Sequence, residues 1–207
     1  SNPCLHTGYN EGATFTGTGN ATVCRESIER LISHPTKSVD LKHRRVAGVD
    51  HPDIRTESHF WAMSLFFFTL DSLRHFSITP QLQRNWPTPT LSELWQAADG
   101  LCGMHYDDLE QAHATNPHEF TRSEILPYRC FESVYMISVL SAFGFHHDSR
   151  QITFQFTVDG SEVEWTLGMA VHLGQQCNVE DEPKMTSSDD LPNATVPHHN
   201  NTTTMTW

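Results

Sequence analysis

Basic residues are scarce in this chain: 13 lysines and arginines stand against 25 aspartates and glutamates, a formal net charge of -12. A nucleic-acid surface needs clustered cations, and this balance does not supply them. The one basic cluster, Lys42, His43, Arg44 and Arg45, lies in a polar loop and reads as a solvated face. Long apolar runs are missing as well. The most hydrophobic stretch, His59 to Leu73, falls short of the roughly 20 residues a bilayer-spanning helix needs. None of the 5 cysteines forms a CxxC pair, which removes zinc-ribbon and thioredoxin-like readings. No GxSxG supports a serine-hydrolase triad. The adjacent histidines His146-His147 and His198-His199 lack metal-ligand spacing. Gly17-Thr18-Gly19 is short of the third glycine of a phosphate loop and follows no strong strand, so it reads as turn chemistry. No secretory leader opens the chain, and Ser1-Asn2-Pro3-Cys4 reads like the interior of a longer protein, a sign of truncation.

What is there fits an ordinary globular protein. A length of 207 residues with 37% hydrophobic content allows one or two domains and a substantial core. Asn20-Ala21-Thr22, Asn193-Ala194-Thr195, Asn200-Asn201-Thr202 and Asn201-Thr202-Thr203 match the N-glycosylation acceptor pattern. Together with spaced cysteines they point to the secretory pathway, where disulfides are the default and an odd cysteine is left over.

Taken in order, residues 1 to 24 read as a short strand around Phe15 between turns. Ile28, Leu31 and Ile32 then mark an amphipathic helix over Arg25 to Ile32. Residues 33 to 58, with Pro35, Gly48 and Pro52, form a polar connecting loop. His59 to Leu73 is read as one buried central helix. Three successive phenylalanines, Phe66, Phe67 and Phe68, point in three directions on it, which leaves a ring for a ligand cleft. Pro80, Pro87 and Pro89 interrupt regular structure. Thr90-Leu91-Ser92-Glu93 is a capping box that starts a helix with Leu91, Leu94, Trp95 and Ala98 inward, ending near Gly100. Asp107 to Ala114 follows as an exposed helix and Cys130 to Phe145 as a second buried one. Ile152, Phe154, Phe156 and Val158 alternate with polar residues, the pattern of a strand. After the Asp159-Gly160 turn, Ser161 to Glu164 forms a second capping box that opens a helix from Trp165 to Leu173. Beyond Gly174 the polar, acidic, threonine-rich sequence reads as a flexible glycosylated tail. The whole is an α/β domain in which helices dominate.

Several of these segments resemble a known family. Phe60-Trp61-Ala62-Met63-Ser64-Leu65-Phe66-Phe67-Phe68 is similar to the FxAFSxFYY segment of the apyrase family, the ecto-nucleoside triphosphate diphosphohydrolases related to CD39 and to Golgi guanosine diphosphatase. Tyr128-Arg129-Cys130-Phe131, with Tyr135 and the run to Phe145, resembles its YCFxxxYILxLL and GYxF pieces. Gly160-Ser161-Glu162-Val163-Glu164-Trp165-Thr166-Leu167-Gly168 resembles its closing GSDAGWTLGYML motif. Asn2-Pro3-Cys4 and Phe15 to Cys24 resemble NPCxxxGY and GxGNxxxC. The resemblance runs over residues 1 to 173, with 174 to 207 as the tail.

The resemblance implies an actin-like ATPase, ribonuclease-H-like lobe, the C-terminal portion of a two-lobed enzyme that hydrolyses nucleoside tri- and diphosphates to the monophosphate and phosphate with Ca2+ or Mg2+. The family's two phosphate loops have no counterpart here, since neither Asp-x-Gly-Ser-Ser nor Asp-Leu-Gly-Gly-Ala-Ser occurs. The water-activating glutamate is placed upstream. The chain is then expected to supply the base-binding side of the cleft to the N-terminal part of the same enzyme and to be inactive alone. Phe67 and Phe143, with Phe145 as the other choice for the second ring, correspond to the two rings that sandwich the base. Each is worth roughly 1 to 3 kcal/mol by analogy with base stacking elsewhere. Phe67 is expected to meet the base while Phe66 and Phe68 turn inward. Loss of both tyrosine hydroxyls implies low base discrimination. Trp165 corresponds to the tryptophan beside the metal and its waters, with Glu164 where the family has glycine. The family's arrangement pairs Cys4 with Cys24 and Cys102 with Cys130 and leaves Cys177 free. It places the protein in the secretory pathway, at the cell surface, outside the cell or in the Golgi lumen. The alternative is a non-catalytic nucleotide-binding or secreted interaction module derived from that family.

Overall fold

The computed structural model describes residues 1–12, 14–32, 44–46, 49–162, 169–170 and 173–174. Glu164, Trp165, Cys177, Asn193, Asn200, Asn201 and almost all of the expected last helix and tail lie outside the described residues. Ser1–Glu164 forms one compact unit and Trp165–Trp207 another. The helices of the first unit are α1 (Ala21–Ile32), α2 (Leu65–Phe76), α3 (Pro80–Asn85), α4 (Leu91–Gly103), α5 (Tyr106–Thr115) and α6 (Arg129–Phe143). Its strands are short and come in pairs: β1 (Asn10–Glu11) with β2 (Phe15–Thr16), β3 (Arg44–Val46) with β4 (Val49–His51), β5 (Phe60–Ala62) with β6 (Ile152–Phe154), and β7 (Thr157–Val158) with β8 (Ser161–Glu162). The result is a helix-rich α/β unit.

Helix α6 is the hub, touching α1, α2, α4 and β3. It is apolar on most of its circumference, as a helix surrounded by others must be, and Cys130, Val134 and Ile137 are fully buried. Gly144, at φ 97°, ends it by donating its N–H back to Leu140 and Ser141, a conformation glycine adopts without strain. Facing α6, α4 contributes Leu91, Leu94, Ala97, Ala98 and Leu101. The expected capping box is formed: Glu93 N–H donates to Thr90 Oγ1 at 3.2 Å, and Thr90 N–H donates to Glu93 Oε2 at 2.9 Å. Arg150 holds the same carboxylate at 2.8 Å and 3.1 Å, fastening the start of α4 to the approach to β6. Trp95 is half-buried, with the Arg25 guanidinium 4.3 Å above its ring.

Disulfides join Cys4 to Cys24 and Cys102 to Cys130, the pairs that the family resemblance implies. The first ties the N-terminal segment to α1 and the second ties α4 to α6. That segment is laid down tightly. A Cβ on Gly17 would stand 2.0 Å from the His6 carbonyl oxygen, so no larger residue fits there without moving backbone.

Several expected elements are redrawn. His59 to Leu73 is not one helix, because Phe60–Ala62 is extended and pairs in parallel with Ile152–Phe154. A partner distant in sequence supplies the hydrogen bonds, and tertiary pairing overrides local apolar periodicity. Ser64, at φ 53° and ψ -126°, turns the chain from this strand into α2. The polar loop of residues 33 to 58 contains the β3–β4 hairpin, in which Arg44 and Arg45 stand opposite His51 and Asp50. Pro80 opens α3 instead of preventing it, since the first turn of a helix tolerates the missing N–H. The strand expected from Gln151 to Val158 breaks at Gln155-Phe156. Ser161–Glu162 is a hairpin strand rather than the cap of a helix, because Asp159 (φ 51°) and Gly160 (φ 79°) build the tight turn that pairs β8 with β7. In α1 the buried face is Ala21, Cys24, Ile28 and Ile32, while Leu31 is exposed. Among the described residues no helix is long and apolar enough to cross a membrane.

Candidate functional site

The first turn of α2 places three aromatic rings on successive 100° steps, and all three are half-buried. Phe66 and Phe67 pack against the core and Phe68 does not, so the expected inward turn of Phe68 is not what the packing gives. Phe66 faces a cavity of about 260 Å³ that it shares with Phe60, Ala62, Leu140, Phe143 and Phe145. Phe145 lies edge-on to Phe60 at 5.0 Å, and Phe143 edge-on to His51 at 5.1 Å. The cavity is walled almost entirely by carbon. Its size is a little under the roughly 300–1,000 Å³ of pockets that enclose drug-sized ligands.

Phe67 lies elsewhere. Its ring neighbours are Phe68, Phe120 and Phe156, each at 5.9 Å, and Trp86 at 6.2 Å. Phe68 meets Phe120 at 4.7 Å and Phe156 at 5.4 Å, and Phe120 meets Phe156 at 5.3 Å. The two rings singled out from sequence thus stand in two neighbouring aromatic groups, Phe143 in the cavity and Phe67 in the cluster, and no ring contact joins them among the described residues. Trp165 is outside those residues.

Phe120 comes from the link between α5 and α6, and buried polar groups pin that link. Arg129, 3% exposed, donates to the Phe120 carbonyl at 2.9 Å, to Thr121 Oγ1 at 2.6 Å and to Glu132 at 2.7 Å. His118 bridges Thr121 Oγ1 at 2.8 Å and Asp71 Oδ2 of α2 at 3.1 Å. Asp71 also receives Arg74 at 2.7 Å. Burial pushes the Asp71 carboxyl up, but the hydrogen bonds and charges of His118 and Arg74 outweigh it, so the group titrates below the usual carboxylate range. For Arg129 and Glu132 burial prevails over their mutual attraction, lowering the guanidinium and raising the carboxyl.

Sequence reasoning missed Phe120, Trp86 and this polar network. Residues 116 to 123 have no periodicity that could mark them, and Phe156 was visible only as one position of an alternating strand. Asn20 is exposed and caps α1, accepting the Val23 N–H on Oδ1 at 3.0 Å. Among the described residues no group of three or more His, Cys, Asp or Glu side chains could hold a metal ion.

Comparison with known proteins agrees with the family resemblance. The chain is 28% identical over 163 residues to ectonucleoside triphosphate diphosphohydrolase 2 of Rattus norvegicus, covering 77% of this chain and 29% of that protein. It is 29% identical over 160 residues to ectonucleoside triphosphate diphosphohydrolase 7 of Pongo abelii, covering 75% and 24%. It is 24% identical over 163 residues to nucleoside-diphosphatase mig-23 of Caenorhabditis briggsae, covering 75% and 28%. The chain thus spans under a third of the length of these relatives. The model of the GDA1/CD39 (nucleoside phosphatase) family matches residues 1–188, and the chain belongs to that family.

Proposed function

We propose that this chain is the base-binding side of a nucleoside tri- or diphosphate phosphohydrolase with an actin-like fold, whose phosphate loops and water-activating glutamate reside in sequence N-terminal to it. One observation carries the reading: in a member of a nucleoside phosphatase family, the start of α2 presents three successive half-buried phenylalanines, a residue type whose ring can stack on any nucleobase. Phe67 in the ring cluster and Phe143 in the cavity are the two contacts proposed, with Phe145 as the other choice for the second. Phenylalanine offers no hydrogen bond to a base edge, so base discrimination is low. Trp165 is proposed to stand beside the active-site metal and its waters.

A calcium or magnesium ion, carried by the nucleotide and by residues other than those described, would neutralise phosphate charge when bound. The part played by this chain's own side chains is to bind and orient the nucleoside and keep water off its base. Water then attacks the terminal phosphate in line, and the products are the lower nucleotide and phosphate.

The names of the relatives from Rattus norvegicus and Pongo abelii support an extracellular or secretory location. Asn20 is available to a glycan there, because it is exposed and its helix cap uses only Oδ1. Asn193, Asn200 and Asn201 are proposed acceptors too, and residues 174 to 207 the tail that carries them.

The test is phosphate release from ATP and ADP, with calcium and with magnesium, by the longest natural product that carries this chain. Release abolished by chelation supports the enzyme. Nucleotide binding without release selects the non-catalytic module.

A further inference from the structure

A second cavity, of about 190 Å³, lies between α1 and α6 and is lined by Glu29, Ile32, Ser138, Ser141 and Ala142. That is room for several waters, each filling about 30 Å³ in the liquid, or for one small molecule. Glu29 and Ile32 belong to the last turn of α1, and Ser141 and Ala142 to the last turn of α6. Two helix C-termini therefore meet at this cavity, and both bring partial negative charge to it. No basic residue stands in the last turn of α6 to answer that charge. Arg30, the basic residue in the last turn of α1, turns back instead to the Glu26 carbonyl at 3.1 Å.

The hydroxyls here are also unspent. Ser138 is 1% exposed, and Ser138 Oγ and Ser141 Oγ are both buried without a hydrogen-bond partner. A serine inside a helix can donate to the carbonyl one turn back, as Ser27 does to Val23 at 2.9 Å in α1. These two forgo that bond, and a buried hydroxyl left without a partner destabilises the fold. Each can be re-aimed by one staggered step of a single side-chain torsion. The Glu29 carboxylate completes the set. Arg25 Nε donates to its Oε1 at 2.7 Å, and no cationic side chain among the described residues lines the cavity itself.

The side-chain polar groups of the cavity thus accept a hydrogen bond or can be turned to accept one, while Ile32 and Ala142 offer carbon. Such a site favours a cation that is itself a hydrogen-bond donor and carries a short apolar body. The acid excess of the whole chain, 25 aspartates and glutamates against 13 lysines and arginines, raises the local concentration of cations. We propose that the cavity between α1 and α6 binds a small aliphatic primary ammonium ion, its head held by Glu29, Ser138 and Ser141 and its body by Ile32 and Ala142. This site shares no lining residue with the cavity beneath Phe66 and does not depend on the nucleotide-binding reading.

Saturation-transfer NMR on the 207-residue chain at pH 7, with n-propylammonium chloride, n-propanol and tetramethylammonium chloride as probes, tests this. The expected result is transfer to n-propylammonium. Binding of n-propanol, which has the length without the charge, and of tetramethylammonium, which has the charge without a donor, should each be about tenfold weaker, the factor that one charge-assisted hydrogen bond is worth. Glu29→Gln should weaken n-propylammonium by about the same factor. The double variant Ser138→Ala, Ser141→Ala should lose the transfer and yet melt at a higher temperature than the natural sequence, because the unpartnered hydroxyls are gone. Loss of binding through misfolding would lower the melting temperature instead. In the natural chain n-propylammonium should raise the melting temperature, and in the double variant it should not. Equal transfer to all three probes overturns the ammonium site. Transfer to none of them, with the chain folded, leaves a cavity for water only and overturns it too.

Discussion

Lowering the pH from 7 to 5 should weaken this fold through one buried histidine, His6. His6 is 0% exposed, and neither ring nitrogen has a hydrogen-bond partner. The carbonyls of Met104 and Leu101 favour a protonated ring, yet neither meets it with ordinary hydrogen-bond geometry, so burial dominates and lowers the pKa from 6.5 to about 4. In the unfolded chain the ring takes up its proton near 6.5, so between 6.5 and 4 the unfolded state binds more protons than the folded one. Stability is therefore complete above about pH 6.5 and is lost as pH falls toward 4. Integrated from pH 7 to 5, the loss is about 2 kcal/mol. With a urea slope of about 2 kcal/mol/M the midpoint moves by about 1 M. Urea unfolding of the oxidised protein at both pH values, with His6→Leu as the reference, measures it. The subtraction is needed because burial also lowers the pKa of His113. The variant should lose about 2 kcal/mol less than the natural sequence over that interval. Parallel losses in the two proteins would refute the reasoning.

Three other perturbations have defined outcomes. Thr90→Ala removes one half of the α4 capping box and should cost about 1 kcal/mol, lowering the melting temperature by roughly 2–4 °C in calorimetry. Arg129→Met strips the donor from the Phe120 carbonyl and Thr121; it should cost about 3 kcal/mol in urea unfolding, and Arg129→Met combined with Glu132→Leu should recover part of that, since no unpaired carboxylate then remains. Graded reduction, followed by alkylation and mass mapping, should open Cys4–Cys24 before Cys102–Cys130, because Cys102 and Cys130 are both fully buried while Cys4 is only half-buried. Opening the first should cost about 3 kcal/mol by loop entropy.

What could be read from the chain alone was what depends on near neighbours. The Thr90–Glu93 box is contained in four residues, and α6 carries its apolar character along its own length, so both were visible. Strand β5 was not, because Phe60 N–H is satisfied by the Gln151 carbonyl at 2.7 Å and nothing near Phe60 announces that partner. The Ser161–Glu164 pattern misled for a related reason: the Asp159-Gly160 turn directly before it is a stronger hairpin instruction than the box is a helix instruction. Motif resemblance points to the start of α2 and the end of α6, where the half-buried Phe66, Phe67 and Phe68 and the cavity-lining Phe143 lie. It could not assign Phe66, Phe67 and Phe68 to sides, since that depends on how α2 sits against Phe120 and Phe156.

The parallel register of β5 and β6 has a consequence for where chemistry can occur. Strands that run the same way discharge their chains at the same rim, so Met63-Ser64 and Gln155-Phe156 leave side by side although the intervening helices separate them in sequence. In open α/β sheets that carboxyl rim is where ligands settle. The first turn of α2 and the Phe156 bend are thus neighbours by topology, whatever residues occupy them. A substitution that shifts the pairing of Ala62 with Phe154 by one residue would pull the two apart even with every ring retained.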